Sequence, residues 1–233
     1  MTRSFDLDAY LHRLRYEGPR EPTFETLRSL CELQPACIPF ENVDPFLGRP
    51  PDLSIDALQA KLVARRRGGY CYELNLLLRA ALLSLGMQVT GLAARVVWMR
   101  PLDAPLRARS HTVLKVDLPG PSAGSFIADA GFGGRLLGSP LRFESGLVQE
   151  TPAGRDRIVE TDGEYAVEAE MPGGWSPLSA GADAPKPTLT VGRAPASRCR
   201  RRCGFGEEVA QIGRLGGVAE ERTHAEDLLQ RRQ

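Results

Sequence analysis

Arg65-Arg66-Arg67-Gly68-Gly69-Tyr70-Cys71-Tyr72-Glu73-Leu74-Asn75, RRRGGYCYELN, is the point at which the chain turns from a cationic run into a strongly apolar segment. From Cys71 to Leu85 the sequence is apolar almost all round and meets Gly86 where a helix C-terminal glycine is expected. That pattern predicts the central helix of a helical subdomain. Cys71 would then sit at the helix start, where unpaired N–H groups and the macrodipole favour a thiolate. A cytosolic cysteine is most often just a small buried hydrophobe. Here the position, and a glycine pair that lets a loop approach without side chains in the way, suit a nucleophile.

The residues before this stretch also read as helical. Asp6 can cap a helix carrying Leu7, Tyr10, Leu11 and Leu14 on one side. Pro22-Thr23 opens a second, FETLRSLCELQPA, whose end Pro35 and Pro39 limit. Ser54 starts a third, IDALQAKLVARR, with Ile55, Leu58 and Leu62 as its apolar face. After Gly86 the period changes to that of strands: QVTGLAARVVWM, RSHTVLKVDL, SFIAD, DRIVET and EYAVEAEM, separated by Pro, Gly and Asp. The expected organisation is α+β: a helical bundle over residues 1–86, then an antiparallel sheet or barrel over 87–180. Residues 181–233 differ, with five arginines between Arg193 and Arg202, no acid between Asp183 and Glu207 and few large apolar side chains. Poor packing or disorder is expected there.

Charge is balanced, 30 basic against 29 acidic residues, so no field favours nucleic acid or an anionic membrane. No apolar run is long enough to span a bilayer, and the N-terminus does not read as a secretory signal. The chain is therefore expected in the cytoplasm. Its cysteines are Cys31, Cys37, Cys71, Cys199 and Cys203, an odd count at irregular spacing that gives no disulfide framework. The CRRRC run of Cys199 to Cys203 lacks a second pair of suitable spacing, so no metal is expected. Lysine is scarce: Lys61, Lys115 and Lys186 stand among many arginines.

A thiol nucleophile needs a base, and there are three histidines. His12 lies inside the first helix, His224 in the atypical tail, and His111 opens the strand HTVLKVDL. Alternation puts Thr112, Leu114, Val116 and Leu118 on the more apolar face and His111 on the other, where it could meet a helix start across a cleft. A lone strand histidine is also commonly a structural hydrogen-bonding residue. Asp129, after the run Phe126-Ile127-Ala128, is either a turn former or a buried partner for a cation. Beside His111 it could hold an imidazolium. The turn Gly131-Phe132-Gly133-Gly134 could offer backbone N–H groups to anionic oxygens.

Taken together, RGGYCYELN, IPFEN (Ile38 to Asn42), HTVLKV and DAGFGG (Asp129 to Gly134), with Cys71, His111 and Asp129 in that order, resemble the motifs of the arylamine N-acetyltransferase family over about residues 5–178. The resemblance implies a cysteine-protease/transglutaminase-like catalytic core with Cys71, His111 and Asp129 as the triad. It implies ping-pong transfer of an acetyl group from acetyl-CoA through a Cys71 thioester to an arylamine or hydrazine, a role in xenobiotic metabolism, and no permanently bound cofactor. Phe40, Tyr70, Phe132, Gly131 and Gly133 would contact substrate, and Arg67 would pair structurally with Glu41. The family fold adds a C-terminal α/β lid to the bundle and barrel. Residues 181–233 lack the aromatic-rich strands of that lid and have the texture of a shifted reading frame in G+C-rich DNA, so the lid is expected to be truncated or aberrant. An impaired relative without a working lid, prone to self-association through exposed barrel surface, and an amide synthase using the same triad are the alternatives.

Overall fold

The structure, a computed structural model, describes residues 5–99, 108–120, 123–135, 137–161 and 163–185. Helix α1 (Leu7–Leu14) starts where expected, the Asp6 carboxylate accepting the Ala9 N–H at 2.9 Å. Thr23 caps α2 (Phe24–Cys37). Pro35 does not end this helix: it sits in the last turn, and the Ile38 N–H still donates to the Gln34 carbonyl at 2.7 Å. A proline that late forfeits only its own bond to the preceding turn. The helix expected after Ser54 divides into a short turn, α4 (Ile55–Leu58), and a π-helical turn over Gln59–Ala64, whose wider winding buries Lys61 with Leu62. Helix α5 (Cys71–Ser84) follows, and Gly86 takes the left-handed φ of 84° that stops it. Residues 42–52 form a separate short piece whose one helical turn, α3 (Val43–Phe46), is held by its own backbone bonds.

Among the described residues eight strands form one antiparallel sheet: β1 (Gln88–Val96), β2 (His111–Leu118), β3 (Gly124–Ala128), β4 (Leu141–Arg142), β5 (Val148–Thr151), β6 (Gly154–Thr161), β7 (Glu164–Met171) and β8 (Gly174–Pro185). Their order is β4-β3-β2-β1-β8-β7-β6-β5. The two ends curl towards each other, since Ser145 bridges Ile158 and the Gly146 N–H reaches the Ile158 carbonyl at 2.8 Å. The sheet is thus nearly closed, and with the helices the fold is α+β. Strands β4, β5 and β8 are absent from the sequence-based expectation. GWSPLSAGADAP has no period-two pattern, yet it fills the gap between β1 and β7, with Pro177 beside a register shift, a place where a proline is tolerated within a sheet. It also carries the sheet through Pro185, past the expected boundary at 180. The later features, including Cys199, Cys203, His224 and the lid region beyond residue 185, lie outside the described residues.

Alternation along β2 and β3 explains how helices and sheet join. Leu114, Val116 and Leu118 with Phe126 and Ala128 pack against Leu30, Leu74, Leu77, Leu78 and Leu82 of the helices. Val113 and Ile127, one residue out of phase, turn into the curled sheet with Leu92, Phe132, Leu141, Ile158, Val167 and Leu178. Both faces of β2 are therefore largely buried, only Lys115 and Asp117 being part-exposed, and burial of this apolar surface is the main stabilising term. Among the described residues no helix is long and apolar enough to cross a membrane.

Candidate active site

The two glycines before Cys71 lie along the segment Pro39–Glu41. The Glu41 N–H donates to the Gly69 carbonyl at 2.9 Å and the Gly69 N–H to the Pro39 carbonyl at 3.2 Å. A Cβ on Gly68 would run into the Pro39 carbonyl oxygen, and one on Gly69 would lie 2.9–3.1 Å from Leu62 and Glu73 atoms. Only a chain without side chains here fits between IPFEN and the start of α5. Arg67 and Glu41 pair at 2.7 Å. Two partners were not foreseen. Lys61 Nζ lies 2.9 and 3.0 Å from the two Glu73 carboxylate oxygens and 3.8 Å from Glu41, and Glu73 accepts the Tyr70 N–H at 3.1 Å. The start of α5 is thus clamped by a largely buried chain of alternating charges.

Cys71 is the first residue of α5, and its Sγ lies 3.9 Å from the Ser110 carbonyl oxygen, level with the first residue of β2. That residue is His111. Its Nε2 stands 2.6 Å from Asp129 Oδ2, and Cys71 is near enough to the same ring to help raise its pKa. His111 and Asp129 are buried, and the histidine lies at the strand's end, so the face it occupies does not separate it from the helix start. Asn75, one turn after Cys71, ties the three together. It donates to Asp129 Oδ1 at 2.9 Å and to the Thr112 carbonyl at 2.7 Å, and accepts the Ala130 N–H at 3.0 Å. Sequence reasoning passed over Asn75, although a buried polar residue four positions after the thiol on an otherwise apolar face was the available signal.

Electrostatics follow from this geometry. Burial by itself would lower the His111 pKa. The charge and hydrogen bond of Asp129, joined by those of Cys71, outweigh it and raise the imidazole from 6.5 to about 10. Burial would conversely raise Asp129, but the His111 charge and hydrogen bonds from His111, Asn75 and the Gly131 N–H hold the carboxyl below its usual range. A raised base stabilises the fold fully below its unfolded pKa of 6.5, and that contribution is lost as pH climbs towards 10; the lowered acid contributes above its ordinary value and fades in acid. The stability gap between wild type and Asp129→Asn in urea titrations is accordingly expected to be widest in mildly acidic buffer and to narrow steadily as pH rises towards 10.

Around this group Phe132 sets its ring edge-on to His111 at 5.5 Å, and is itself buried in the sheet interior. The Phe40 ring lies over Gly133, where a Cβ would come within 2.8 Å of it, and is 37% exposed, an apolar face open to solvent beside the site. Gly131 packs on the Cys71 backbone, 2.8 Å from Cα and the carbonyl oxygen for any added Cβ. Its N–H is already donated to Asp129 at 2.9 Å rather than turned towards a ligand. Tyr70 is buried against Tyr72 with ring centroids 5.6 Å apart.

The N-acetyltransferase family profile matches residues 23–188. An arylamine N-acetyltransferase of Mycolicibacterium smegmatis is 46% identical over 189 residues, which are 81% of this chain and 68% of that protein. This chain belongs to the arylamine N-acetyltransferase family. The Mycobacterium tuberculosis (H37Rv) arylamine N-acetyltransferase is 45% identical over 176 residues, 75% of this chain and 62% of that protein. The solved M. tuberculosis enzyme superposes with a TM-score of 0.75 at 44% identity, over 78% of this chain and 68% of that one. The Mycobacterium marinum arylamine N-acetyltransferase in complex with CoA does so with a TM-score of 0.75 at 44% identity, over 78% and 67%. The chain thus spans 62–68% of the length of these arylamine N-acetyltransferases.

Proposed function

We propose that this chain moves an acetyl group from acetyl-CoA to an arylamine or arylhydrazine through a thioester on Cys71. The observation that carries the reading is a buried imidazole held by Asp129 at 2.6 Å, next in sequence to the Ser110 carbonyl that Cys71 Sγ, at a helix start, meets at 3.9 Å. With His111 protonated, Cys71 sulfur is a thiolate and attacks the acetyl-CoA carbonyl. The tetrahedral intermediate collapses as the C–S bond to CoA breaks, and His111 gives its proton to the departing CoA sulfur. The amine nitrogen of the second substrate then attacks the Cys71 thioester. His111, now neutral, takes the proton that the nitrogen sheds, and the Cys71 thiolate leaves.

The positive end of the α5 dipole lies at Cys71, where it favours the carbonyl oxygen as it gains charge. Asp129 holds the imidazolium, Asn75 holds Asp129, and Arg67 with Glu41 fixes the loop before the helix. Phe40 and Phe132 supply apolar surface for an aromatic acceptor, which suits an arylamine better than an aliphatic one. Gly133 allows Phe40 to sit there, Gly131 allows the DAGFGG turn to lie against Cys71, and Tyr70 lines the inner side. Acetyl-CoA binds as a substrate and leaves as CoA, so no resident cofactor is needed.

The reading is tested by separating its halves. Protein incubated with labelled acetyl-CoA, desalted and then mixed with an arylamine is expected to pass the label to the amine in the absence of any CoA. Label released only to water at the same rate with and without amine would make the chain a thioesterase and overturn the acceptor assignment.

A further inference from the structure

Glu73 presents a problem that the proposed chemistry does not solve. It is 1% exposed, stands two residues after Cys71, and folds its carboxylate back to the N–H of Tyr70, the residue just before the nucleophile. A buried negative charge at that point opposes a thiolate on Cys71, because charge–charge interactions are weakly screened away from water. From the π-helical turn Lys61 meets it with both oxygens in reach, 2.9 and 3.0 Å, and Lys61 is itself only 7% exposed. Glu41, on the segment after α2, touches Lys61 at 3.8 Å but has its own cation in Arg67 at 2.7 Å. On the other side the groups facing Cys71 are His111 of β2, with Asp129 behind it, and the Ser110 carbonyl.

We propose that Lys61 tunes the nucleophile: by pairing with Glu73 it cancels a buried negative charge beside Cys71 and so keeps the thiolate accessible at neutral pH. Lys61 acts through Glu73 and is a positioning and charge-balancing residue, not one that touches substrate. The inference rests on Cys71 being the nucleophile, but its test does not require acetyl transfer.

The rate of iodoacetamide alkylation at Cys71, read by peptide mass spectrometry, is followed from ~pH 5 to ~pH 9. Four proteins are compared: wild type, Lys61→Met, Glu73→Gln and the double variant. Lys61→Met leaves Glu73 uncompensated and is expected to move the profile to higher pH, slowing alkylation about tenfold on its acid limb. Glu73→Gln removes the negative charge next to Cys71 while Lys61 stays charged, with Glu41 at 3.8 Å, and is expected to move it the opposite way. The double variant is expected to return close to wild type. Loss of packing alone would not give shifts of opposite sign.

Profiles that coincide, or that move in the same direction in both single variants, would overturn the inference. Should Lys61→Met fail to fold, Glu73→Gln decides alone: a shift to lower pH supports the account, and no shift or an upward one sinks it. Variants that show these shifts, together with a wild-type protein that never takes up acetyl from acetyl-CoA, would reject the proposed function while leaving the Lys61 result standing.

Discussion

Asp129→Asn is expected to slow acylation by acetyl-CoA about 10³- to 10⁴-fold, the loss seen when a buried carboxylate that holds a catalytic imidazole becomes an amide. Oδ1 of Asp129 accepts from Asn75 and Gly131, contacts that an asparagine oxygen can keep. The change falls on Oδ2, 2.6 Å from His111 Nε2, where an amide N–H would meet the ring instead of an acceptor. The ring must then turn its protonated nitrogen towards Cys71, and it cannot take up the thiol proton. The raised basicity of His111 rests chiefly on Asp129, so it falls as well. Single-turnover acylation monitored by loss of the thiol measures the effect. A rate within tenfold of wild type, in protein with a normal melting curve, would remove Asp129 from the mechanism.

Asn75→Leu is expected to be the most destabilising conservative change near the site. The leucine fills similar space but takes away three buried hydrogen bonds, those to the Thr112 carbonyl, the Ala130 N–H and Asp129. The carbonyl and the N–H belong to separate segments and lose this partner inside the protein. At about 1–3 kcal/mol for each buried group left unsatisfied, the loss is on the order of 3 kcal/mol. For a domain of this size that lowers the melting temperature by roughly 10 °C. Thermal unfolding by circular dichroism reads it directly, and a shift of only a degree or two would show that Asn75 does not hold α5 to the sheet.

Much of this arrangement was legible in the sequence because the signals were local. The apolar run from Cys71 to Leu85, ending at Gly86, gives α5 without any knowledge of its neighbours. Asp6, Thr23 and Ser54 announce three helix starts by the capping each performs. The motifs around Cys71, His111 and Asp129 named the three side chains that the fold brings together. What stayed hidden depends on partners distant in the chain. Strand β8 has too few apolar residues to show a period, and it becomes a strand because β1 and β7 offer edges on either side of it. The π-helical turn that carries Lys61 inward is invisible to a pattern that expects 3.6 residues per turn. Asn75 and Glu73 read as ordinary polar residues on a helix until the sheet and Lys61 are set against them.

The central claim is that Cys71 carries the acyl group, and intact-protein mass spectrometry after incubation with acetyl-CoA tests it most directly. The account predicts a single acetyl increment that maps to the peptide containing Cys71, is absent from Cys71→Ala, and disappears when an arylamine is added. A folded wild-type protein that gains no increment, or one that gains it equally in Cys71→Ala, would contradict the account.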